Sequence, residues 1–272
     1  MSPDGDLERD YTPSSVSKHP ATWYIDEYAS RSAATLMRLG DRVTHEHYGP
    51  GAEEYVVLAR HARTSPLLVF IHGGYWKALS AEECAMWADN ALDAGFSLAS
   101  INYTLAPTAT LERIVMQCRN AYDWLLGPSG LDPARVVVSG SSAGGHLAAM
   151  VTTANPQPVR CDGLVLLSGV FDLRPLVSTT VNEHLGLTVP DAVRLSPAHL
   201  RVTAGPCVRA FVGEEETEAF KAQSNAYVEK LRTAGLDATS QIIVGRDHFD
   251  LIYDLITPGT KLGDTTIGLL RG

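Results

Sequence analysis

The stretch Arg135–Ala154, RVVVSGSSAGGHLAAMVTTA, decides how the chain is read. Its β-branched run Val136-Val137-Val138 predicts a buried strand, and the small apolar residues after Gly144 predict a helix. Between them lies Gly140-Ser141-Ser142-Ala143-Gly144, a G-x-S-x-G pattern. In the strand-to-helix context this motif holds a nucleophile on a turn so tight that only small residues fit around it. Ser142 would then stand proud of the sheet edge, at the positive end of a helix, where a developing oxyanion is favoured. The bland alternative is a small-residue turn that only lets strand and helix pack.

Working outward, the same strand–helix alternation recurs. PLLVFIHGGYW predicts a buried strand entering a glycine turn, FSLASINY a strand, and TLERIVMQCRNAYDWLLG an amphipathic helix. After the central unit come a strand in CDGLVLLSGVFD, a strand in PCVRAFVGEEE, a helix in EAFKAQSNAYVEKLRTAG and a last strand in DATSQIIVG. A helix is expected from Trp23 to Leu39, a second in SAEECAMWADNALDAG with Ser80 and Glu83 as a capping box, and a final one in DHFDLIYDLI. Two strands around Gly49-Pro50-Gly51 complete a mostly parallel sheet covered on both faces by helices, an α/β class. One domain over residues 1–272 is the economical organisation. A polar N-terminal arm and helix fill residues 1–40, and an irregular, proline-containing insertion at 173–206 is a second piece available to roof a site.

Composition bounds the function. The chain has 272 residues, 45% of them hydrophobic, enough for a sizeable core, and a net charge of −9, which argues against nucleic-acid and polybasic membrane partners. No apolar stretch is long enough for a membrane span or a signal peptide, so the expected compartment is the cytoplasm. Cys84, Cys118, Cys161 and Cys207 have no C-x-x-C spacing and are expected as reduced thiols. His45 and His47 share one strand face but have no third ligand, so no metal is expected. There is no G-x-G-x-x-G and no G-K-[ST], and no cofactor is expected. The expected partner is a small-molecule substrate, and a homodimer is compatible with the sequence.

A serine nucleophile needs a base, an acid to orient it and donors for the oxyanion, and in such sheets they gather at the carboxyl ends of strands. His248 follows the last strand and satisfies the order serine, acid, histidine; its bland alternative is a solvated loop histidine. Glu214, Glu215 and Glu216 end another strand between the two, and one of them should accept the Nδ1 hydrogen, with Asp172 in reserve. The turn His72-Gly73-Gly74-Tyr75-Trp76 would aim the N–H groups of Gly73 and Gly74, with that of Ala143, at the oxyanion. Tyr75 and Trp76 are read either as rings at the pocket rim, binding substrate, or as core packing.

Four segments together carry a resemblance: HGGYW at 72–76, INYTLAPTATLERIV at 101–115, SAGGHLAAM at 142–150 and DHFD at 247–250, with LSGVFDLRPL at 167–176 and EAFKAQS at 218–224 also matching. From about Tyr11 onward the chain resembles the α/β-hydrolase form of kynurenine formamidase (arylformamidase), within the esterase and lipase superfamily. The resemblance implies an α/β-hydrolase fold, Ser142 as nucleophile and His248 as base. The family's aspartate slot falls on Glu216, one methylene longer, with Glu214 as the alternative acid. It also implies hydrolysis of an aryl formamide such as N-formylkynurenine through an acyl-serine. Two other readings are a short-chain carboxylesterase and a non-catalytic ligand-binding module that retains the fold.

Overall fold

Alternate residues along each central strand enter two different cores, and this makes the sheet the middle layer of a sandwich. The computed structural model describes residues 3–202 and 205–272. Its strands are β1 (Val43–His47), β2 (Tyr55–Ala59), β3 (Leu67–Ile71), β4 (Ser97–Ile101), β5 (Val136–Ser141), β6 (Gly163–Leu167), β7 (Cys207–Gly213) and β8 (Ala238–Ile243). They form one sheet in the order β1-β2-β4-β3-β5-β6-β7-β8, antiparallel at the β1–β2 and β2–β4 pairings and parallel beyond. The helices are α1 (Pro3–Asp10), α2 (Ala21–Leu39), α3 (Ala88–Asp93), α4 (Leu111–Leu125), α5 (Ala143–Val151), α6 (Asn182–Leu185), α7 (Val189–Arg194), α8 (Glu218–Thr233) and α9 (Lys261–Arg271).

Val69, Ile71, Val136 and Val138 pack with Ile114, Leu147, Phe220 and Leu231 of α4, α5 and α8. Leu68, Phe70 and Val137 turn the other way, onto Tyr28, Ala91, Leu262 and Leu270 of α2, α3 and α9. A strand buried on both faces has no polar face to alternate with, which is why LLVFI and VVV read as continuous apolar runs. Each such side chain contributes roughly 1.5–3 kcal/mol relative to an exposed one.

The register positions the site. Ile71 pairs with Gly140, Ser141 with Leu167, Leu167 with Phe211 and Gly213 with Ile243, so β3, β5, β6, β7 and β8 end close together along one edge. The segments starting at His72, Ser142, Ser168, Glu214 and Val244 all emerge there.

Two expectations are corrected. The helix expected from Ser80 shortens to α3, preceded by turns, although Ser80 Oγ does accept from the Glu83 N–H at 3.3 Å. Ser32 and Thr35 of α2 bond Glu83 O, the Ala85 N–H and Met86 O, and these tertiary bonds compete with the helical ladder. The expected final helix is a 3₁₀ segment over Asp250–Asp254. An α-helix then follows at α9, whose threonines and glycines are weak helix formers; Thr260 caps it by accepting from Gly263 N–H. The N-terminal arm contains α1, and the 173–206 insertion contains α6 and α7; residues 1–2 and 203–204 of these two calls from sequence lie outside the described residues. No helix among the described residues is long and apolar enough to cross a membrane.

Candidate active site

Between β5 and α5 the backbone at Ser142 takes φ +56° and ψ −119°, a strained conformation for a residue with a side chain. The surrounding glycines make it sterically reachable. A Cβ on Gly140 would sit 2.1 Å from Gly144 O, and one on Gly144 would sit 2.0 Å from Ile71 O. The Ser142 N–H donates to Leu167 O at 2.8 Å, which ties the turn to the end of β6. The hydroxyl-bearing residue thus caps α5 with its side chain unused by the cap, next to the helix's unpaired N–H groups.

His248 lies in the loop after β8. Its Nδ1 is 2.7 Å from Glu216 Oε2, and both side chains are almost fully buried. The other carboxylate oxygen of Glu216 accepts from Ser168 Oγ and from the Gly213 N–H, each at 2.6 Å. Three donors therefore hold one carboxylate, which is how a buried anion is tolerated. Glu214 instead accepts from Gly245 N–H, Glu215 pairs with Lys18, and Asp172 pairs with Arg174 and His199. Asp247 anchors the histidine loop by accepting from Tyr24 Oη and the N–H groups of Phe249 and Asp250. Burial pushes its carboxyl up, but these hydrogen bonds outweigh burial and leave it below the ordinary value.

The turn after β3 presses against the serine: a Cβ on Gly73 would lie 2.7 Å from Ser141 O and 3.3 Å from Ser142 Cβ. Among the described residues nothing accepts from the backbone N–H of Gly73, Gly74 or Ala143. Behind them His72 is fully buried and stacks on Tyr103 at 4.1 Å, while the Tyr103 hydroxyl donates to His72 O and Gly73 O. Burial lowers the His72 pKa to about 4, so the ring is neutral.

Tyr75 and Trp76 both have positive φ, +48° and +59°, and they part company. Tyr75 lines the cavity in front of Ser142, its hydroxyl donating to Tyr11 O at 2.6 Å. Trp76 is fully buried, edge-on to His146 at 5.1 Å; the rim reading is corrected for it, and core packing is what it does.

The cavity holds about 370 Å³ and is lined by Ser142, His248, Gly73 and Gly74 below and by Tyr11–Ser14, Ala21, Ile25, Tyr28, Thr180 and Val181 around them. The N-terminal segments and the 173–206 insertion thus both reach it. Ser142 and His248 face this common space without a direct hydrogen bond among the described contacts, a contact that often tightens only around substrate. A larger groove of about 710 Å³ beside Arg119 and Arg201 holds none of these groups.

Two contributors went unrecognised in the sequence. Ser168, at φ +50° after β6, orients Glu216, and Tyr103 fixes the carbonyls of the glycine turn. Both sit one or two residues beyond a strand end, the only signal they carry.

Comparison with known proteins agrees with this fold. Residues 68–250 match the model of a family described as having the alpha/beta hydrolase fold. The kynurenine formamidase of Danio rerio is 33% identical over 205 residues, covering 70% of this chain and 68% of that protein. That of Salmo salar is 30% identical over 275 residues, covering 92% and 91%. A solved structure from Silicibacter sp., described provisionally as a thioesterase, superposes with a TM-score of 0.84 at 28% identity, over 98% of this chain and 99% of that one. The chain is a hydrolase of the α/β-hydrolase fold and belongs to the kynurenine formamidase family.

Proposed function

We propose that the protein hydrolyses an aryl formamide of the N-formylkynurenine type, releasing formate and the free arylamine. Ser142 Oγ attacks the formyl carbon while His248 Nε2 takes its proton. The N–H groups of Gly73, Gly74 and Ala143 stabilise the oxyanion, and Glu216 holds the imidazole in the tautomer this requires. Collapse of the tetrahedral intermediate breaks the C–N bond, and His248 gives its proton to the departing amine. Water, deprotonated by the same ring, then attacks the formyl-serine, and formate leaves as Ser142 regains its proton.

The observation that carries the reading is the 2.7 Å contact of His248 with Glu216 at the wall of the cavity that contains Ser142. Its substrate side draws on the formamidase relatives, and its compartment, the cytoplasm, on the lack of any signal-peptide-like or membrane-spanning apolar stretch in the sequence; small molecules are its expected partners, and a homodimer is compatible with it. The test compares hydrolysis of N-formylkynurenine with that of p-nitrophenyl acetate, with Ser142→Ala as control. The formamide should be preferred, and the variant should lose at least about 10⁴-fold in kcat while its Tm stays put. A preference for the ester would make the protein a short-chain carboxylesterase. Turnover of neither, with no labelling of Ser142 by a fluorophosphonate, would make it a binding module.

A further inference from the structure

The turn that follows Gly74 displays one side chain that the reaction above does not use. Lys77 lines the cavity, is exposed, and has no ion-pair partner among the described residues. Its backbone is fixed from several directions. The N–H groups of Lys77 and Ala78 both donate to Gly74 O, Trp76 O accepts from Ala106 N–H at 2.8 Å, and the Trp76 ring is sealed in the core. Positive φ at Tyr75, Trp76 and Leu79 brackets the lysine, and strain of this kind persists only where the surroundings over-determine it.

The charge inventory of the cavity is lopsided. Among the described residues its lining contains no aspartate, glutamate or arginine, so there Lys77 is the one lysine or arginine charge, beside His248. Most of the other polar groups are engaged: Tyr28 and Tyr75 donate to backbone carbonyls, Tyr11 accepts from Gln223, and the Thr12 and Thr180 hydroxyls donate to Glu8. Ile25, Leu79, Val181 and Ile252 supply an apolar wall that suits an aromatic ring.

We propose that Lys77 is a specificity-determining residue that binds a carboxylate on the leaving-group side of the substrate. The site would then select acyl arylamines or aryl esters whose aryl portion carries an anionic side chain over neutral ones of the same shape. The inference rests on the reading of the site as an acyl-transfer centre and names the substrate class more narrowly. An exposed lysine gives a modest contact, which grows where the cavity walls displace water.

The experiment uses two matched pairs. One is the desamino analogue of N-formylkynurenine against its neutral primary carboxamide; the other is the corresponding pair of aryl acetates. For the wild type, kcat/KM should favour the anionic member, and added salt should shrink that preference. In Lys77→Met and Lys77→Gln the ratio should fall on the order of tenfold, mainly through KM, and Lys77→Arg should restore it. An anionic-to-neutral ratio in the two neutral variants within about twofold of wild type, or a wild-type ratio near one, overturns the proposal. If the wild type cleaves the acetates and neither formamide, the formamidase reading fails, and the acetate pair alone decides the role of Lys77.

Discussion

The floor of the cavity and its roof are built on opposite principles. The floor comes from strand ends and the turns they feed: His72 to Gly74 after β3, Ser142 after β5, Ser168 after β6, Glu216 after β7 and His248 after β8. Sheet register aligns these ends, and steric limits on the glycines leave the turns almost no alternative geometry. The roof is assembled from pieces remote in sequence and held by single side-chain contacts. Tyr75 reaches Tyr11 O, Thr217 reaches Asp10 O, Tyr28 reaches Phe249 O and Thr180 reaches Glu8. A floor of this kind sets the class of chemistry, whereas a roof of this kind sets which molecules arrive, and the two should respond differently to mutation.

The largest effect should come from the floor's buried acid. Glu216→Gln keeps the volume but removes the charge that faces His248 Nδ1, and it can present an NH₂ group where an acceptor is needed. Loss of the equivalent carboxylate in a serine triad costs roughly 10⁴-fold in kcat, and a loss on the order of 10³–10⁴-fold is expected. Glu214→Gln, which touches only the Gly245 N–H at the surface, should change kcat less than about threefold. Steady-state kinetics on the two variants check this, and the reverse ranking would show that the acid is misassigned.

Acid should attack the floor next. His72 and His146 are both fully buried, and burial lowers each pKa to about 4 from 6.5. The unfolded chain therefore binds protons that the folded chain refuses between those values. Their contribution to stability is complete above pH 6.5 and is lost as pH falls toward 4, with a ceiling on the order of 3 kcal/mol apiece. The carboxylates held below their ordinary values, Glu54, Asp172 and Asp247, lose their contributions at lower pH, whereas Asp250, raised by burial, takes up a proton in the folded chain and opposes the imidazole slope at the acid end of the window. Urea unfolding at a series of pH values should show the slope. His146→Gln, which can still donate to Leu195 O but does not titrate, should remove about half of it.

The same division explains what the sequence revealed. Buried parallel strands read as unbroken apolar runs, and Gly140 and Gly144 flank Ser142 because of contacts only a few residues away. His248 was legible from chain order, because the topology forces it to the edge that holds the serine. Which of Glu214, Glu215 and Glu216 reaches His248 was not a local matter: it depends on Ser168 Oγ and on the Gly213 N–H, which meet Glu216. Nor could HGGYW say which ring faces the cavity, since two successive positive-φ residues aim Tyr75 and Trp76 apart. The shortening of α3 had the same origin, in hydroxyls of α2 some fifty positions earlier that capture its backbone.

The smallest effect should be a roof effect. Tyr75→Phe deletes the hydroxyl that donates to Tyr11 O and leaves the ring against the cavity. A neutral hydrogen bond contributes about 1 kcal/mol net, so Tm should fall by only a few degrees. Tyr11 also accepts from Gln223 and packs on Phe220, so the segment should stay attached but sample more open positions. Substrate would then meet a less organised wall while Ser142, His248 and Glu216 keep their places. KM should rise by about two- to fivefold with kcat nearly constant, the pattern of lost uniform binding. A comparable fall in kcat would mean that the roof also positions the floor, and the two regions could no longer be treated as separable.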